Sequence, residues 1–178
     1  MNKGGQINNS ISKVFETEWF SIDALQDITL GSKPYYRLTC GDSVSIIAKT
    51  VDEKIILVNQ YRPPVEHHSL ELPSGYVDDD ESPEEAIRRE LEEEAGYVCD
   101  SVSYMGSFRI CPSRINNWLH VFFGKNAVFT GVKDVAAKKE FELVLVTKEE
   151  FLKLILEGRY IEVAGIAMFY LAQTNGYL

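Results

Sequence analysis

The chain has 178 residues, of which 45% are hydrophobic, and a formal net charge of −9. This length and hydrophobic content suit one compact domain with a sizeable core. The acidic balance argues against non-specific binding to nucleic acid, because the phosphate backbone repels negative charge. The N-terminus has no apolar signal segment, and the longest apolar run, residues 163–172, is too short to cross a bilayer.

The cysteine pattern excludes a disulfide framework and a zinc site. Cys40, Cys99 and Cys111 are odd in number and form no CxxC pair. We therefore expect a cytoplasmic protein with reduced thiols that binds neither nucleic acid nor a membrane.

Strand-like segments come first along the chain. They are rich in Val, Ile and aromatic residues, and turn-forming residues at 23–31 and 41–42 separate them. The strands are predicted at residues 13–23, 33–41, 42–50 and 54–61, with a shorter one at residues 70–72.

The segment after Glu81 carries the signals of a helix. Ser82 is predicted as the N-cap, Pro83 as the first helical residue, and Glu85 as the partner of Ser82 in a capping box. Gly96 stands where helices commonly end. The apolar side of this helix is predicted from the four-residue spacing of Ile87, Leu91 and Ala95.

The second half of the chain mixes strands and helices. A mixed order of strands around a central helix predicts an α/β sandwich. Gly158 is predicted to break the helical region near the C-terminus. The strands are predicted at residues 98–110, 118–125 and 141–147, and the helices at residues 148–156 and 162–175.

The central helix and the acidic loop before it together hold most of the charge. Residues 78–94 contain ten acids and two arginines, and so carry −8 of the net −9. Such a run most often marks a solvated face, but helical spacing puts Glu90, Glu93 and Glu94 on one side. Like charges this close are costly unless a cation lies among them, and hard divalent cations take oxygen ligands. The spacing therefore predicts metal-assisted chemistry on a pyrophosphate.

A calcium-binding loop is the first alternative. Asp78, Asp80 and Ser82 mimic three ligand positions of an EF-hand. The required glycine, however, is Pro83, and the final glutamate is Arg89. We therefore reject this alternative.

The segment 75–97, GYVDDDESPEEAIRRELEEEAGY, resembles the Nudix box, G-x5-E-x7-R-E-U-x-E-E-x-G-U, where U is aliphatic. The last position departs, because Tyr97 stands at a packing position that is aliphatic in the family. An acidic amphipathic helix explains the charge but not the fixed gaps. The positions that match in register are Gly75, Glu81, Arg89, Glu90, Leu91, Glu93, Glu94 and Gly96.

The resemblance implies a hydrolase of the Nudix fold, an α/β/α sandwich with a mixed central sheet and an N-terminal strand region. Residues 1–45 would form that N-terminal β region, which would dimerise, and residues 46–178 the Nudix catalytic domain.

The resemblance also implies a metal site for Mg²⁺, which Mn²⁺ can replace. Glu90 and Glu94 would be the principal ligands, Glu93 a further ligand and catalytic residue, and the carbonyl of Ser74 a backbone ligand. Arg89 would orient these carboxylates by pairing with a helical neighbour. Its partner four residues away is Glu93 or Glu85, and Glu81 would order the loop or bind metal through water.

Flanking residues narrow the resemblance to the ADP-ribose pyrophosphatase branch, which hydrolyses nucleoside diphosphate sugars. The sequences QYR at 60–62 and ELPSG at 71–75 resemble elements of that branch, and Pro112 falls where the branch carries a proline. Arg62 is suited to bidentate phosphate binding, and Glu71 either hydrogen-bonds within the protein or contacts substrate. The other predicted substrate contacts are Arg109, Arg114, Asn117 and Trp118, and Asn116 beside them could also meet ribose or base.

The general base is expected outside the box, because the branch supplies it from a loop before the strand at 141–146. Glu140 in that loop is our prediction, and Glu142 on the strand is the alternative. The base would take a proton from the water that attacks one phosphorus.

Two further expectations follow from the resemblance. Members of the branch form homodimers with swapped N-terminal strands, so we expect the same here. The substrate alternatives are GDP-mannose and dinucleoside polyphosphates, and the alternative of another class is a non-catalytic Nudix-fold sensor. The sensor is disfavoured because the box glutamates are all present.

Overall fold

The computed structural model describes residues 10–26, 33–131 and 141–178. The chain divides into two units: unit 1 runs to Asp42 and includes Arg109–Trp118, whereas unit 2 contains Ser43–Phe108 and Leu119–Leu178. No helix in the described ranges is long and apolar enough to cross a membrane.

Unit 1 is built on an antiparallel sheet of three strands, β1 (Ser10–Glu16), β2 (Phe20–Gln26) and β3 (Tyr35–Cys40). The single strand expected over residues 13–23 is wrong. The chain turns at Thr17, whose hydroxyl accepts the backbone N–H groups of Trp19 and of Phe20, the first residue of β2. Such local hydrogen bonds compete with strand pairing.

A buried carboxylate ties β2 to β3. Asp23 accepts hydrogen bonds from the guanidinium of Arg37 at 3.1 and 3.2 Å and from the hydroxyl of Thr39 at 2.6 Å. These partners, Thr39 first, hold the pKa of Asp23 below its ordinary value. Because buried charges are tolerated only when paired, this cluster fixes the register of the two strands.

Unit 2 contains a seven-stranded mixed sheet. Its main path runs β10-β5-β4-β9-β8, while β6 pairs with β5 and β7 pairs with β4. Among the strand pairs of the described residues, only β4 and β9 run parallel. The strands are β4 (Ser43–Thr50), β5 (Ile55–Arg62), β6 (His67–Glu71), β7 (Ser74–Tyr76), β8 (Tyr97–Phe108), β9 (Leu119–Phe129) and β10 (Phe141–Val146).

Helices cover both faces of this sheet: α1 (Pro83–Ala95), α2 (Lys148–Leu156) and α3 (Val163–Thr174). Successive strand residues point to opposite faces. Ile46 of β4 therefore packs in the cluster that contains Leu91 of α1, whereas Ile47 packs in the cluster that contains Phe151 and Phe169 of the other two helices. The sandwich expected from the sequence is confirmed.

The caps of α1 are as predicted. Ser82 accepts the N–H of Glu85, and the Glu85 carboxylate accepts the N–H of Ser82 at 2.8 Å. Gly96 ends the helix with a left-handed φ of 71°. The three-residue strand β7 was not predicted, because so short a segment has no periodicity. It is nevertheless the strand that places Ser74 and Gly75.

We expect Ser82→Ala and Thr147→Ala, which remove the equivalent caps of α1 and α2, each to lower the free energy of unfolding by about 1 kcal/mol. Ser101→Ala on the exposed side of β8 is the control and should change it by less than about 0.5 kcal/mol. Urea unfolding measures all three. Equal stabilities for wild type and both cap variants would contradict the role of the caps.

Candidate active site

The first feature of the site is the close approach of β7 to α1. A Cβ atom on Gly75 would lie 2.0 Å from Oε1 of Glu90 and 2.1 Å from its Cδ. Any side chain at this position would therefore displace the carboxylate. A glycine at position 75 therefore lets the carboxylate of Glu90 lie directly against the backbone of β7.

The second feature is a buried carboxylate on the same helix. Glu94 is only 9% exposed, and its Oε2 accepts the backbone N–H of Ser74 at 2.9 Å. Burial raises the pKa of Glu94 to about 8, although the hydrogen bond from Ser74 opposes the rise. Burial likewise raises the pKa of Glu90, against the opposing effect of Arg89. The ionised forms of both groups are thus costly without a cation.

Arg89 connects the loop before α1 to these carboxylates. Its guanidinium donates to Glu81, to Oε1 of Glu90 at 2.7 Å and to the carbonyl of Tyr76 at 3.1 Å. The pKa of Arg89 is raised, chiefly by the hydrogen bonds to Glu81. A planar guanidinium can hold several acceptors in fixed directions. Arg89 therefore fixes the loop, strand β7 and Glu90 relative to one another.

The helical partner of Arg89 is Glu93, whose Oε2 lies 3.5 Å from Nη1 of the guanidinium. The other partner considered, Glu85, is occupied by its hydrogen bond to the N–H of Ser82. Glu93 has about half of its side chain exposed, so it lies nearer to solvent than Glu90 and Glu94.

Arg62 is held by Glu71. The guanidinium Nε donates to both oxygens of Glu71, at 3.0 and 3.2 Å, and Nη2 donates to Oε2. Gln60 donates to the same carboxylate at 3.2 Å. The pKa of Arg62 is raised, chiefly by these bonds to Glu71. Glu71 is thus a hydrogen-bonding partner of Arg62 within the protein, while a direct contact of Glu71 with substrate stays a prediction.

Unit 1 contains the other predicted substrate residues. The guanidinium of Arg109 lies 3.8 Å from the ring centroid of Trp118, and that of Arg114 lies 4.8 Å from the ring centroid of Tyr35. Such stacking restrains both guanidinium groups. The guanidinium of Arg109 also covers one face of the Trp118 ring, and the Trp118 side chain is partly exposed.

A pocket of about 260 Å³ in unit 1 is lined in part by Arg37, Arg109, Arg114 and Asn116. The side-chain oxygen of Asn116 is buried and accepts no hydrogen bond from any residue in the described ranges. A buried acceptor without a partner is costly. The neighbouring Asn117 is itself buried.

The structure describes one of the two candidate general bases. Glu140 lies outside the described residues. Glu142 is on β10, exposed, and accepts a hydrogen bond from the side-chain nitrogen of Asn59 at 3.0 Å.

The box residues fit a hard cation because the carboxylates of Glu90 and Glu94 lie on one face of α1 and are both desolvated. Within the described ranges, no three His, Cys, Asp or Glu side chains form a complete ion cage. Mg²⁺ commonly uses few carboxylates and completes its shell with water and phosphate, and the joint assignment of Glu90, Glu93 and Glu94 as its ligands stays a prediction.

Comparison with known proteins agrees with this geometry. The NUDIX domain model matches residues 41–163, and the chain therefore belongs to the Nudix hydrolase family. It is 36% identical over 134 residues to the methanol dehydrogenase activator of Bacillus methanolicus, an alignment that covers 72% of this chain and 71% of the relative.

A second relative is the ADP-ribose pyrophosphatase of Bacillus subtilis (strain 168). It is 35% identical over 114 residues, which cover 64% of this chain and 62% of that protein. The crystal structure of an ADP compounds hydrolase superposes with a TM-score of 0.81 at 18% identity, covering all of both chains. This likeness establishes the Nudix fold.

Sequence reasoning missed two features of the site. The carbonyl of Tyr76 is a partner of Arg89, and Gln60 is a partner of Glu71. The first has no sequence signal, because any residue carries a carbonyl. The second lies two residues before Arg62, so the alternation of a strand places both side chains on one face.

We expect Arg89→Lys to lower kcat by at least about tenfold, because one ammonium cannot hold Glu81, Glu90 and the carbonyl of Tyr76 in place together. Arg88→Lys is the matched control, since Arg88 pairs only with the exposed Glu84 among the described residues. Steady-state kinetics on folded variants measure the effect. Equal losses in both variants would show that Arg89 has no special role.

Proposed function

We propose that this protein catalyses the Mg²⁺-dependent hydrolysis of the pyrophosphate bond of nucleoside diphosphate sugars such as ADP-ribose. The products are a nucleoside monophosphate and a sugar phosphate. The observation that carries the proposal is the pair of desolvated carboxylates, Glu90 and Glu94, held against the backbone at Ser74 and Gly75. The name of the Bacillus subtilis relative supports the substrate class.

The metal ligands in this proposal are Glu90, Glu94, Glu93 and the carbonyl of Ser74. These residues would hold Mg²⁺, or Mn²⁺ in its place, and the ion would supply neutralisation of phosphate charge and a lowered pKa of bound water. Arg89 keeps Glu90 in place, and the N–H of Ser74 keeps Glu94 in place.

Arg62 binds the diphosphate. Glu71 occupies Nε and one Nη of its guanidinium, so the remaining N–H groups are the ones to meet phosphate oxygens. Arg109, Arg114, Asn117 and Trp118 are the further substrate contacts. The buried oxygen of Asn116 suits a ligand N–H or O–H donor.

Glu140 is the general base that takes a proton from the attacking water. Glu142 is the weaker choice, because its carboxylate is already bonded to Asn59.

The protein acts in the cytoplasm as a homodimer with swapped N-terminal strands, formed through the β region of residues 1–45. Exposed apolar side chains in that region support an interface of this kind: Ile11, Val14, Phe15, Trp19 and Tyr36.

Substrate assays test the proposal directly. Wild-type protein with Mg²⁺ should convert ADP-ribose to AMP and ribose 5-phosphate, and EDTA should abolish turnover until metal is restored. Glu94→Gln should lower kcat by about a hundredfold or more, whereas Glu92→Gln, on the exposed side of α1, should not. Product chromatography measures both.

The same assay separates the alternatives. Preferential cleavage of GDP-mannose or a dinucleoside polyphosphate would show that the proposed substrate is wrong but that the proposed pyrophosphate hydrolysis is right. If the protein binds these nucleotides but hydrolyses none of them, the result would favour a non-catalytic sensor over an enzyme. Reaction in ¹⁸O-water identifies the phosphorus that is attacked.

The general base is tested by a matched pair of variants. Glu140→Gln should lower kcat by about a hundredfold or more, because general base catalysis is lost, and Glu142→Gln should stay close to wild type. Rates across pH measure the loss of the acidic limb, which is the rise in rate as the base loses its proton. Near-normal turnover of a folded Glu140→Gln variant would exclude Glu140.

A further inference from the structure

One backbone carbonyl beside the candidate active site accepts two hydrogen bonds. The carbonyl of Pro73, the residue before β7, accepts the backbone N–H of Ile46 at 3.1 Å and the hydroxyl of Ser45 at 3.3 Å. Both donors belong to β4. Ser45 pairs with Ser74 in the register of the two strands, so its hydroxyl reaches the residue next to its cross-strand partner. Strand β4 therefore holds the start of β7 through two separate bonds.

The other side of the same peptide unit faces the box helix. The N–H of Ser74 donates to Oε2 of Glu94 at 2.9 Å. A trans peptide unit is planar, and its C=O and N–H groups point in opposite directions. Pro73 supplies the carbonyl of this unit and Ser74 supplies the N–H. A donor that fixes the direction of the carbonyl therefore also fixes the direction of the N–H that holds Glu94.

The hydroxyl of Ser45 is a buried polar group among apolar neighbours. Ser45 is 5% exposed, and it shares its face of the sheet with Ile47 on β4 and Val121 on β9, both of which belong to a hydrophobic cluster. A buried hydroxyl is costly without a partner, whereas an alanine would suit these surroundings. The polar side chain is therefore explained by its bond to the Pro73 carbonyl.

We propose that Ser45 is a positioning residue for the metal site. Its hydroxyl fixes the Pro73–Ser74 peptide unit, and the N–H of that unit holds the carboxylate of Glu94 in the direction that binds a divalent cation. This inference rests on the function proposed for Glu94. Ser45 acts through the peptide unit and contacts neither the cation nor the substrate.

Ser45→Ala removes one oxygen atom and tests the first step in the metal-free protein. We expect amide hydrogen exchange at Ser74, measured by NMR, to become at least about fivefold faster, because one of the two bonds that fix its peptide unit is lost. Ser45→Thr keeps a hydroxyl and should restore the wild-type rate. Thr50→Val is the matched control, since it removes a buried hydroxyl at the far end of the same strand.

Binding of Mn²⁺ without substrate tests the second step. Titration followed by the electron paramagnetic resonance of the free ion measures the Kd of each variant. We expect the Kd of Ser45→Ala to rise at least about fivefold, because groups that orient a metal ligand contribute to metal affinity. The Kd of Ser45→Thr and of Thr50→Val should stay within about twofold of wild type.

Three results would overturn the proposal: an unchanged exchange rate at Ser74 in folded Ser45→Ala, an unchanged Kd for Mn²⁺ in that variant, or equal effects in Thr50→Val. If Ser45→Ala does not fold, Ser45→Cys, which offers only a weak donor, is judged by the same two measurements. A wild-type protein that neither binds Mn²⁺ nor turns over ADP-ribose would instead refute the proposed function. The exchange rate at Ser74 is measured without metal, so the two failures are distinguishable.

Discussion

Burial of like charges is the constraint on which this site depends. Glu90 and Glu94 lie on one face of α1 and are largely removed from water, and burial raises the pKa of both. Such carboxylates persist only where hydrogen bonds, an arginine or a metal ion offset their cost. Here Arg89 and the N–H of Ser74 supply part of that offset. The part of the desolvation cost that these groups do not offset makes the site suitable for a cation and a charged substrate.

The sheet of unit 2 places backbone and arginine groups close to the buried carboxylates. Strand β7 pairs with β4 and carries Gly75 against Glu90, while β5 and β6 carry Arg62 and Glu71. Each positively charged group in this region is matched to a carboxylate before any ligand is present. The arginines are thereby oriented, so less freedom is lost when a ligand binds.

Much of the fold and part of the site follow from local patterns. The caps at Ser82 and Gly96 and the helix at residues 148–156 were predictable because they depend on neighbours in sequence. The break at Thr17 and the strand β7 were not, because side-chain capping and a three-residue pairing leave no periodicity. The spacing alone allowed Arg89 to pair with Glu85 or Glu93. The structure decides between them, because the Glu85 carboxylate bonds to the N–H of Ser82 in the helix cap.

The sequence alone determined the family, because fixed gaps between charged residues on a helix are a local property, and the same gaps predict the metal ligands. The tertiary structure decided what those residues contact. Gly75 of β7 lies against Glu90 of α1, although the two residues are fifteen positions apart in the chain. Burial and long-range hydrogen bonding depend on the folded sheet, and no spacing in the chain encodes them.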